Sequence, residues 1–185
     1  MKIYFHLNIE SFSNSYIVVN EFKNQAIIID PCKINEEMIN QLENNNLSLE
    51  AVFITHNHPD NTRGLKTLLK IYDCPVYAAE SKIGGIQTVA ITGNGAIEAG
   101  GLKVEYTQVP GHSPDSMVYK IENVLFTGDV IYAGKIGDTN SNYSKMTLKK
   151  GIEEKILCQN EDTIIMPGQG PLTSVAAEKS FNMDM

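Results

Sequence analysis

His56, His58 and Asp60 lie within five residues of one another, directly after the apolar run 51–54. The run is short and is followed by a polar turn containing Pro59, which predicts a buried strand ending just before the histidines. Two histidines at i and i+2 beyond a strand end can point both imidazoles into one cavity while the strand holds the backbone rigid. Because imidazoles and carboxylates bind first-row metals such as zinc, iron and manganese, the segment predicts part of a metal site.

Three further strand-like runs also end in polar side chains that could bind a metal. They are His112 after the run 102–107, Asp129 after the run 125–128 and Gln169 after the run 164–166. For each histidine taken alone, a hydrogen-bonded structural imidazole is the alternative, and Asp60 could instead cap a helix. The recurrence of such residues at four separate strand ends favours the metal site.

These motifs resemble those of the metallo-β-lactamase superfamily. That family carries His-x-His-x-Asp-His, then a lone histidine after Pro-Gly, then Gly-Asp, then a late histidine, and the match runs nearly end to end. The short chain and the stretch Pro-Gly-His-Ser-Pro-Asp-Ser at 110–116 are most similar to the small glyoxalase II-like, or hydroxyacylglutathione hydrolase-like, members.

The resemblance implies a set of ligands. His56, His58 and His112 match the ligands of the first metal, and Asp129 matches the carboxylate that bridges to a second one. Three imidazoles and a water form a complete tetrahedral set for catalytic zinc, which lowers the pKa of its water to about 7.

Two positions depart from the family pattern. Asn61 stands where the family has the histidine after Asp60, and Gln169 stands where it has the last histidine. The second site would use both of these with Asp60 and Asp129. Amides bind only through a weak carbonyl oxygen, which suits calcium or magnesium better than zinc. We therefore expect the second site to be weak or empty, and the protein to hold one zinc ion, with iron or manganese as alternatives.

The resemblance implies a hydrolase that cleaves a thioester or related ester with a metal-bound hydroxide, with Asp60 orienting or deprotonating the water. A non-catalytic metal- or ligand-binding member of the fold is one alternative. Another is a mononuclear iron enzyme similar to persulfide dioxygenases, using His56, His112 and Asp129. The segment 137–140 lacks the arginine and the acid of the family's Gly-Arg-Thr-Asp, and the chain ends before the C-terminal helical domain of larger glyoxalase II enzymes. Both features argue against glutathione as part of the substrate.

Composition disfavours several partner classes. The 185 residues are 42% apolar, and 22 acids against 15 bases give a net charge of −7, which disfavours binding to nucleic acid or an anionic membrane. No run approaches 18 apolar residues, and the three cysteines are widely spaced. We expect a cytoplasmic protein with reduced thiols that acts on a small molecule. The sequence makes no prediction of oligomeric state.

The order of elements predicts the architecture. A strand pair at 16–19 and 26–29, a helix over 34–42, the histidine strand and a helix from the motif to residue 72 make up the first half. Strands at 102–107, 117–121 and 124–126 and helices at 148–156 and 175–181 follow, while 82–101 carries no clear pattern. This order suits two sheets packed face to face with helices outside, in one domain spanning 1–185. The resemblance specifies an α/β fold, the αβ/βα sandwich, with the metal site where strand-end loops converge.

Overall fold

The computed structural model describes all 185 residues, which form sixteen short strands and five helices. The strands are β1 (Lys2–Asn8), β2 (Ser13–Asn20), β3 (Gln25–Ile29), β4 (Ser48–Phe53), β5 (Val76–Ala78), β6 (Lys82–Ile83), β7 (Ile86–Gln87), β8 (Val89–Ala90), β9 (Asn94–Ala99), β10 (Leu102–Gln108), β11 (Met117–Ile121), β12 (Val124–Gly128), β13 (Ile131–Tyr132), β14 (Lys135–Ile136), β15 (Ile164–Pro167) and β16 (Thr173–Ser174). The helices are α1 (Glu36–Asn44), α2 (Pro59–Thr62), α3 (Leu65–Leu68), α4 (Asn142–Lys155) and α5 (Val175–Phe181). None of these helices combines the length and the apolar character needed to cross a bilayer.

Twelve of the strands form two sheets of six. The N-terminal sheet has the order β1-β2-β3-β4-β5-β8, and the C-terminal sheet has the order β16-β15-β12-β11-β10-β9. Both sheets are mixed, because β3, β4, β5 and β8 run parallel in the first and β12 and β15 run parallel in the second, while the other pairs are antiparallel. The remaining four strands form two small hairpins, β6–β7 and β13–β14.

Strand β2 shows why the sheets stack in layers. Every residue of β2 is buried, which is expected for a strand covered on both faces. Because successive side chains point to opposite faces, Tyr16 and Val18 pack into the core between the sheets, and Ile17 and Val19 pack into a second core beneath the helices. This alternation confirms the predicted αβ/βα sandwich.

Helices cover the outer face of each sheet. Met38 and Leu42 of α1 are buried in the helix-side core of the N-terminal sheet, one turn apart on one face of the helix. Leu148 and Ile152 of α4 have the same spacing and pack with Leu125 of β12 in a third core. The sandwich therefore has four layers: helix, sheet, sheet and helix.

The two sheets are tied together by buried tyrosine hydroxyls at one edge. Tyr119 Oη on the C-terminal sheet donates to Ile54 O at 2.7 Å, and Tyr16 Oη on the N-terminal sheet donates to Pro167 O at 2.6 Å. Asn14 Nδ2 also donates to Pro167 O, at 2.9 Å. Both acceptor carbonyls lie at the ends of strands that lead into predicted ligand loops. The hydrogen bonds thus fix the relative position of those loops.

The prediction of one helix from the histidine motif to residue 72 is wrong. The segment forms two one-turn helices, α2 and α3, separated at Gly64. Gly64 N donates to Pro31 O at 2.9 Å, and a Cβ added to Gly64 would lie 2.5 Å from the same oxygen. A close backbone contact across the fold therefore overrides the helical spacing of the leucines.

In the segment 82–101, which the sequence left unassigned, the chain crosses from the N-terminal sheet to the C-terminal sheet. It contains the β6–β7 hairpin, then β8 as the last strand of the N-terminal sheet and β9 as the first of the C-terminal sheet. Strands β6, β7 and β8 have two residues each, which is too short for a periodic pattern to reveal, and the longer β9 begins with Asn94 and Gly95, residues typical of a turn.

Candidate metal centre

The predicted ligands converge at the edge where the sheets are tied. His56 and His58 follow β4, His112 follows β10 and Asp129 follows β12. Strand β11 runs antiparallel to both of its neighbours, so β10 and β12 end at the same edge. Four potential ligand atoms, one from each of these side chains, lie within 4.8 Å of one another. The structure therefore brings together side chains separated by up to 73 residues in sequence, counting from 56 to 129.

The distances within this group suit one small ion. His58 Nδ1 lies 2.8 Å from His56 Nε2 and 3.2 Å from His112 Nε2. Asp129 Oδ2 lies 3.8 Å from His56 Nε2 and 3.9 Å from His112 Nε2. Ligands about 2.0–2.1 Å from a tetrahedral zinc ion would be about 3.3 Å apart, and the observed spacings bracket that value.

One atom of the group has no partner. Asp129 Oδ1 is buried and accepts no hydrogen bond. An unsatisfied buried carboxylate oxygen is costly, and a cation held by the other oxygen, Oδ2, which faces the imidazoles, would neutralise the carboxylate and offset part of that cost. The donor set and the unpaired oxygen both fit a transition metal.

Burial sets the charge of the group. The pKa of His56 is lowered to about 3 by burial, with the nearby His112 and His58 rings adding to the effect. At neutral pH His56 is therefore an uncharged ring with a lone pair available to a metal. Burial also raises the pKa of the Asp129 carboxyl, an effect that the neighbouring His112 ring opposes.

Two glycines set the backbone direction of the predicted ligands that follow them. Gly111 precedes His112 with a φ of +142°, and a Cβ there would lie 2.4 Å from Leu148 Cβ. Gly128 precedes Asp129 with a φ of +50°, and a Cβ there would lie 2.3 Å from Thr55 Oγ1. Only glycine suits both the backbone conformation and the available space.

Hydrogen bonds from neighbouring residues hold the predicted ligands in place. Asp30 accepts from Thr55 N at 2.8 Å and from Thr55 Oγ1 at 2.6 Å, and Thr55 Oγ1 lies 3.2 Å from His56 Nδ1. Burial raises the pKa of Asp30 to about 7, although the Thr55 hydrogen bonds oppose this shift. His112 Nδ1 contacts the carbonyl oxygen of Asp138 at 2.8 Å. Supporting contacts of this kind fix the orientation of ligating imidazoles.

Sequence reasoning missed three supporting residues. Asp30 directly follows the predicted strand at 26–29 but lies in no metal-binding motif. Asp138 makes its contact through a backbone oxygen, which no sequence pattern reveals. Asp115 accepts from the backbone amide of Asn57, between the two motif histidines, at 2.7 Å. An acidic residue three positions after His112 was the one available signal.

The other predicted site residues lie in different surroundings. Asp60 is outside the four-residue group; its carboxylate lies 3.6 Å from Arg63 and is 43% exposed in the first turn of α2. Asn61 is buried, with Nδ2 2.8 Å from His56 Nδ1. Gln169 Nε2 donates to Asp129 Oδ2 at 3.1 Å. Both amides thus lie against the first ligand set.

Comparison with known proteins agrees with this geometry. The sequence is 28% identical over 193 residues to the probable metallo-hydrolase YqgX of Bacillus subtilis (strain 168), covering 92% of this chain and 90% of that protein. It is 34% identical over 133 residues to the hydroxyacylglutathione hydrolase of Shewanella halifaxensis (strain HAW-EB4), covering 69% of this chain. That match covers 51% of the Shewanella enzyme, so this chain spans about half of its length.

Solved structures show the same fold. The crystal structure of the BLEG-1 B3 metallo-beta-lactamase superposes with a TM-score of 0.85 at 28% identity, covering 98% of each chain. That of ETHE1 from Myxococcus xanthus gives a TM-score of 0.87 at 23% identity, covering 99% of this chain and 84% of that one. Residues 9–174 match the family model described as the metallo-beta-lactamase superfamily. The family model matches most of the chain, and the chain's three motif histidines and Asp129 lie together at one sheet edge. This chain therefore belongs to the metallo-β-lactamase superfamily.

Proposed function

We propose that this protein is a glyoxalase II-like hydrolase of thioesters or related esters that uses one zinc ion. The observation that carries the proposal is the convergence of His56, His58 and His112 with Asp129, whose Oδ1 is buried and unpaired. The 34% identity to a hydroxyacylglutathione hydrolase supports the reaction class.

The three histidines and Asp129 would hold the ion. Bound zinc acidifies a water molecule and polarises a carbonyl, which are the two requirements of ester hydrolysis at neutral pH. His56 supplies an uncharged ring because burial lowers its pKa to about 3. His58 is exposed, so it lies on the side from which a substrate approaches. Asp60 is half-exposed nearby in sequence and is our candidate for orienting the attacking water.

The surroundings of His112 support a polar substrate. Asp138, whose carbonyl oxygen contacts His112, helps to line an open cleft of about 460 Å³ formed mainly by residues 136–142. Its one cationic side chain, Lys145, lies 3.6 Å from Asp184 Oδ1. With two acids against one base, the lining favours a neutral leaving group over the negatively charged glutathione. We therefore propose a small polar acyl thioester as the substrate.

The test compares two thioesters with the same protein. Zinc-loaded and chelator-stripped protein would be assayed with S-lactoylglutathione and with the lactoyl thioester of N-acetylcysteamine, which lacks the charged peptide. We expect zinc-dependent hydrolysis, faster with the uncharged thioester, and its loss in Asp129→Asn. A protein that binds zinc but hydrolyses neither substrate above the buffer rate contradicts the proposal and favours a non-catalytic, metal-binding member of the fold.

One observation favours a second candidate, a mononuclear iron oxygenase. His56 Nε2 and His112 Nε2 lie 3.8 and 3.9 Å from Asp129 Oδ2, which suits a triad of two histidines and one carboxylate. Oxygen uptake by anaerobically iron-loaded protein on addition of glutathione persulfide would support this candidate. Absence of uptake by protein shown to contain iron would eliminate it.

A further inference from the structure

Strand β1 is a long free edge of the N-terminal sheet. The two sheets end in four edge strands, and two of these, β8 and β16, have only two residues each. β1 has seven residues, contains no glycine or proline, and is hydrogen-bonded to β2 alone. Because a free edge presents a row of unpaired backbone N–H and C=O groups, it is a template for pairing with another strand. Only β1 and β9 are long enough to offer such a template.

β1 differs from β9 in the side chains that it exposes. Phe5 is 46% exposed and Leu7 is 49% exposed. Phe5 pairs with Tyr16 of β2, so positions 3, 5 and 7 lie on the sheet face that packs into the core between the sheets. The exposed positions of β9 are small or polar: Asn94, Gly95, Ala96 and Glu98. β1 is therefore the one long edge of the two sheets that continues an apolar core to the surface.

A second copy of β1 can pair with this edge in an antiparallel ladder. The outward N–H and C=O groups belong to every second residue of an edge strand, and an antiparallel partner must place its own such residues opposite them. Between two copies of one strand, this condition allows only registers that pair odd positions with odd positions. Side chains directly opposite each other point to the same face, so the apolar positions 3, 5 and 7 meet one another. The backbone and the side chains therefore favour the same registers.

One of these registers uses the whole strand. A two-fold axis at Phe5 pairs all seven residues of β1: Lys2 with Asn8 of the second copy, Ile3 with Leu7, Tyr4 with His6, and Phe5 with its own copy. Every other register leaves residues of β1 unpaired. On the opposite face of the strand, His6 Nε2 lies 2.8 Å from Gln41 Oε1 of α1, so that face is already covered within each protomer.

The few charges at this edge are complementary. Lys2 and Glu10 are the only Lys, Arg, Asp or Glu residues among the first twenty, in a chain whose net charge is −7. In the register centred on Phe5, Glu10 of one copy follows Asn8 by two residues, which brings it near Lys2 of the other copy. The edge therefore lacks the repelling charges that protect other edge strands. A second copy supplies both charges by symmetry, whereas an unrelated partner would need a matching pair of its own.

The exposed apolar area suits the centre of a dimer interface. Leu172 is half-exposed near Leu7, because Asn14, which pairs with Leu7, donates to Gly170 O at 2.9 Å. Together with Phe5, Leu7 and Ile9, Leu172 exposes about 400 Å² of apolar surface per protomer, the size of patch that is often functional. Specific interfaces bury at least about 1,000 Å² in total, so the backbone edges and a polar rim supply the remainder. An interface near this lower limit predicts a dissociation constant of about 10 μM.

We propose that β1 is a homodimer interface, in which two copies pair antiparallel about a two-fold axis at Phe5. The two N-terminal sheets then form one continuous sheet, and the free edge of each copy is closed by the other. The inference is independent of the metal centre and of the proposed function, because none of its residues belongs to the four-residue metal group.

The first test measures the dissociation constant of the dimer by sedimentation velocity between about 1 and 200 μM protein. The parent should dimerise in this range. Leu7→Asp should weaken the dimer at least about tenfold, because the interface would then bury an unpaired charge. Val89→Asp is the matched control. Val89 is 46% exposed on β8, the opposite edge of the same sheet, so its replacement should leave the dissociation constant within about twofold of the parent.

A cysteine on the axis tests the register. Phe5→Cys would be made in protein that also carries Cys158→Ser, which removes the exposed native thiol. Side chains directly opposite each other have Cβ atoms about 4.5–5.5 Å apart, close to the separation in a disulfide, so mild oxidation should link two copies through residue 5. Leu7→Cys is the control, because the two copies of residue 7 lie four residues apart along the ladder, about 13 Å.

Hydrogen exchange of the parent gives a result even if a variant does not fold. Amides of β1 should exchange more slowly at about 200 μM than at about 1 μM protein, while those of the other long edge, β9, should not change. A parent that stays monomeric, with β1 exchange independent of concentration, would overturn the inference and leave the edge to a different protein. A dimer of parental strength in Leu7→Asp, or one that Leu7→Cys links and Phe5→Cys does not, would also contradict it.

Discussion

Replacing Asp115 by alanine should weaken zinc binding without unfolding the protein. Asp115 Oδ2 accepts from the backbone amide of Asn57 at 2.7 Å, and this hydrogen bond joins the loop that carries His56 and His58 to the loop that carries His112. A hydrogen bond to a charged group contributes about 1.5–3 kcal/mol. Asn57 is half-buried, so water replaces part of the bond and the lower end of the range applies. At about 1.4 kcal/mol per factor of ten, zinc affinity should fall about tenfold.

Glu80→Ala provides the control, since it removes a contact to the same residue. Asn57 Nδ2 donates to Glu80 Oε2 at 2.6 Å, but that pair is exposed, and its loss should change zinc affinity by less than about twofold. Chelator competition would measure the zinc affinity of both alanine variants and of Asp115→Asn. Because asparagine retains an acceptor oxygen, the zinc affinity of Asp115→Asn should lie between those of the parent and Asp115→Ala. Equal losses in the two alanine variants, or parental affinity in Asp115→Ala, would show that the contact does not position the ligand loops.

Three further changes test separate parts of the structure. His58→Ala should lower the zinc content sharply while leaving the circular dichroism spectrum unchanged, because the exposed strand-end loop is not part of a core; unchanged zinc content would assign His58 a structural role. Asn61→His combined with Gln169→His should raise the stoichiometry toward two ions per chain, and a folded double variant that still binds one ion would show that imidazoles at these two positions do not complete a second site. Glu178→Ala should lower the unfolding free energy measured in urea titrations by about 3 kcal/mol and leave the zinc content unchanged. The reason is that the buried Glu178 carboxylate accepts hydrogen bonds from Gly134 N, Thr173 Oγ1 and Asn182 Nδ2. A loss below about 1 kcal/mol would mean that water satisfies these donors in the variant.

The strand ends were predictable because each couples an apolar run to a polar turn within a few residues. That local signal marked all four residues of the group, His56, His58, His112 and Asp129. The family resemblance matched their order along the chain to the order of metal ligands in the family. The two-sheet architecture followed from the order of strands and helices. The recurrence of polar strand ends suggested that Asp129 and His56 share one site although 73 residues separate them, and the resemblance assigned each its role as a ligand.

The remaining features depend on contacts that the sequence does not display. The break at Gly64 is imposed by Pro31 O, an acceptor 33 residues earlier. The departure of Asn61 from the family pattern was visible, and it was interpreted as a weak oxygen ligand. Its position beside the His56 ring required coordinates, because a helix one turn long places its side chains by contact with neighbours and not by periodicity.

The most direct test of the central claim is elemental analysis of protein purified without added metal and then dialysed. A centre built from three imidazoles and Asp129, with Asn61 and Gln169 engaged in hydrogen bonds, should retain one transition-metal ion per chain, which we expect to be zinc. Two equivalents surviving dialysis, or none together with no uptake of added zinc, would contradict it.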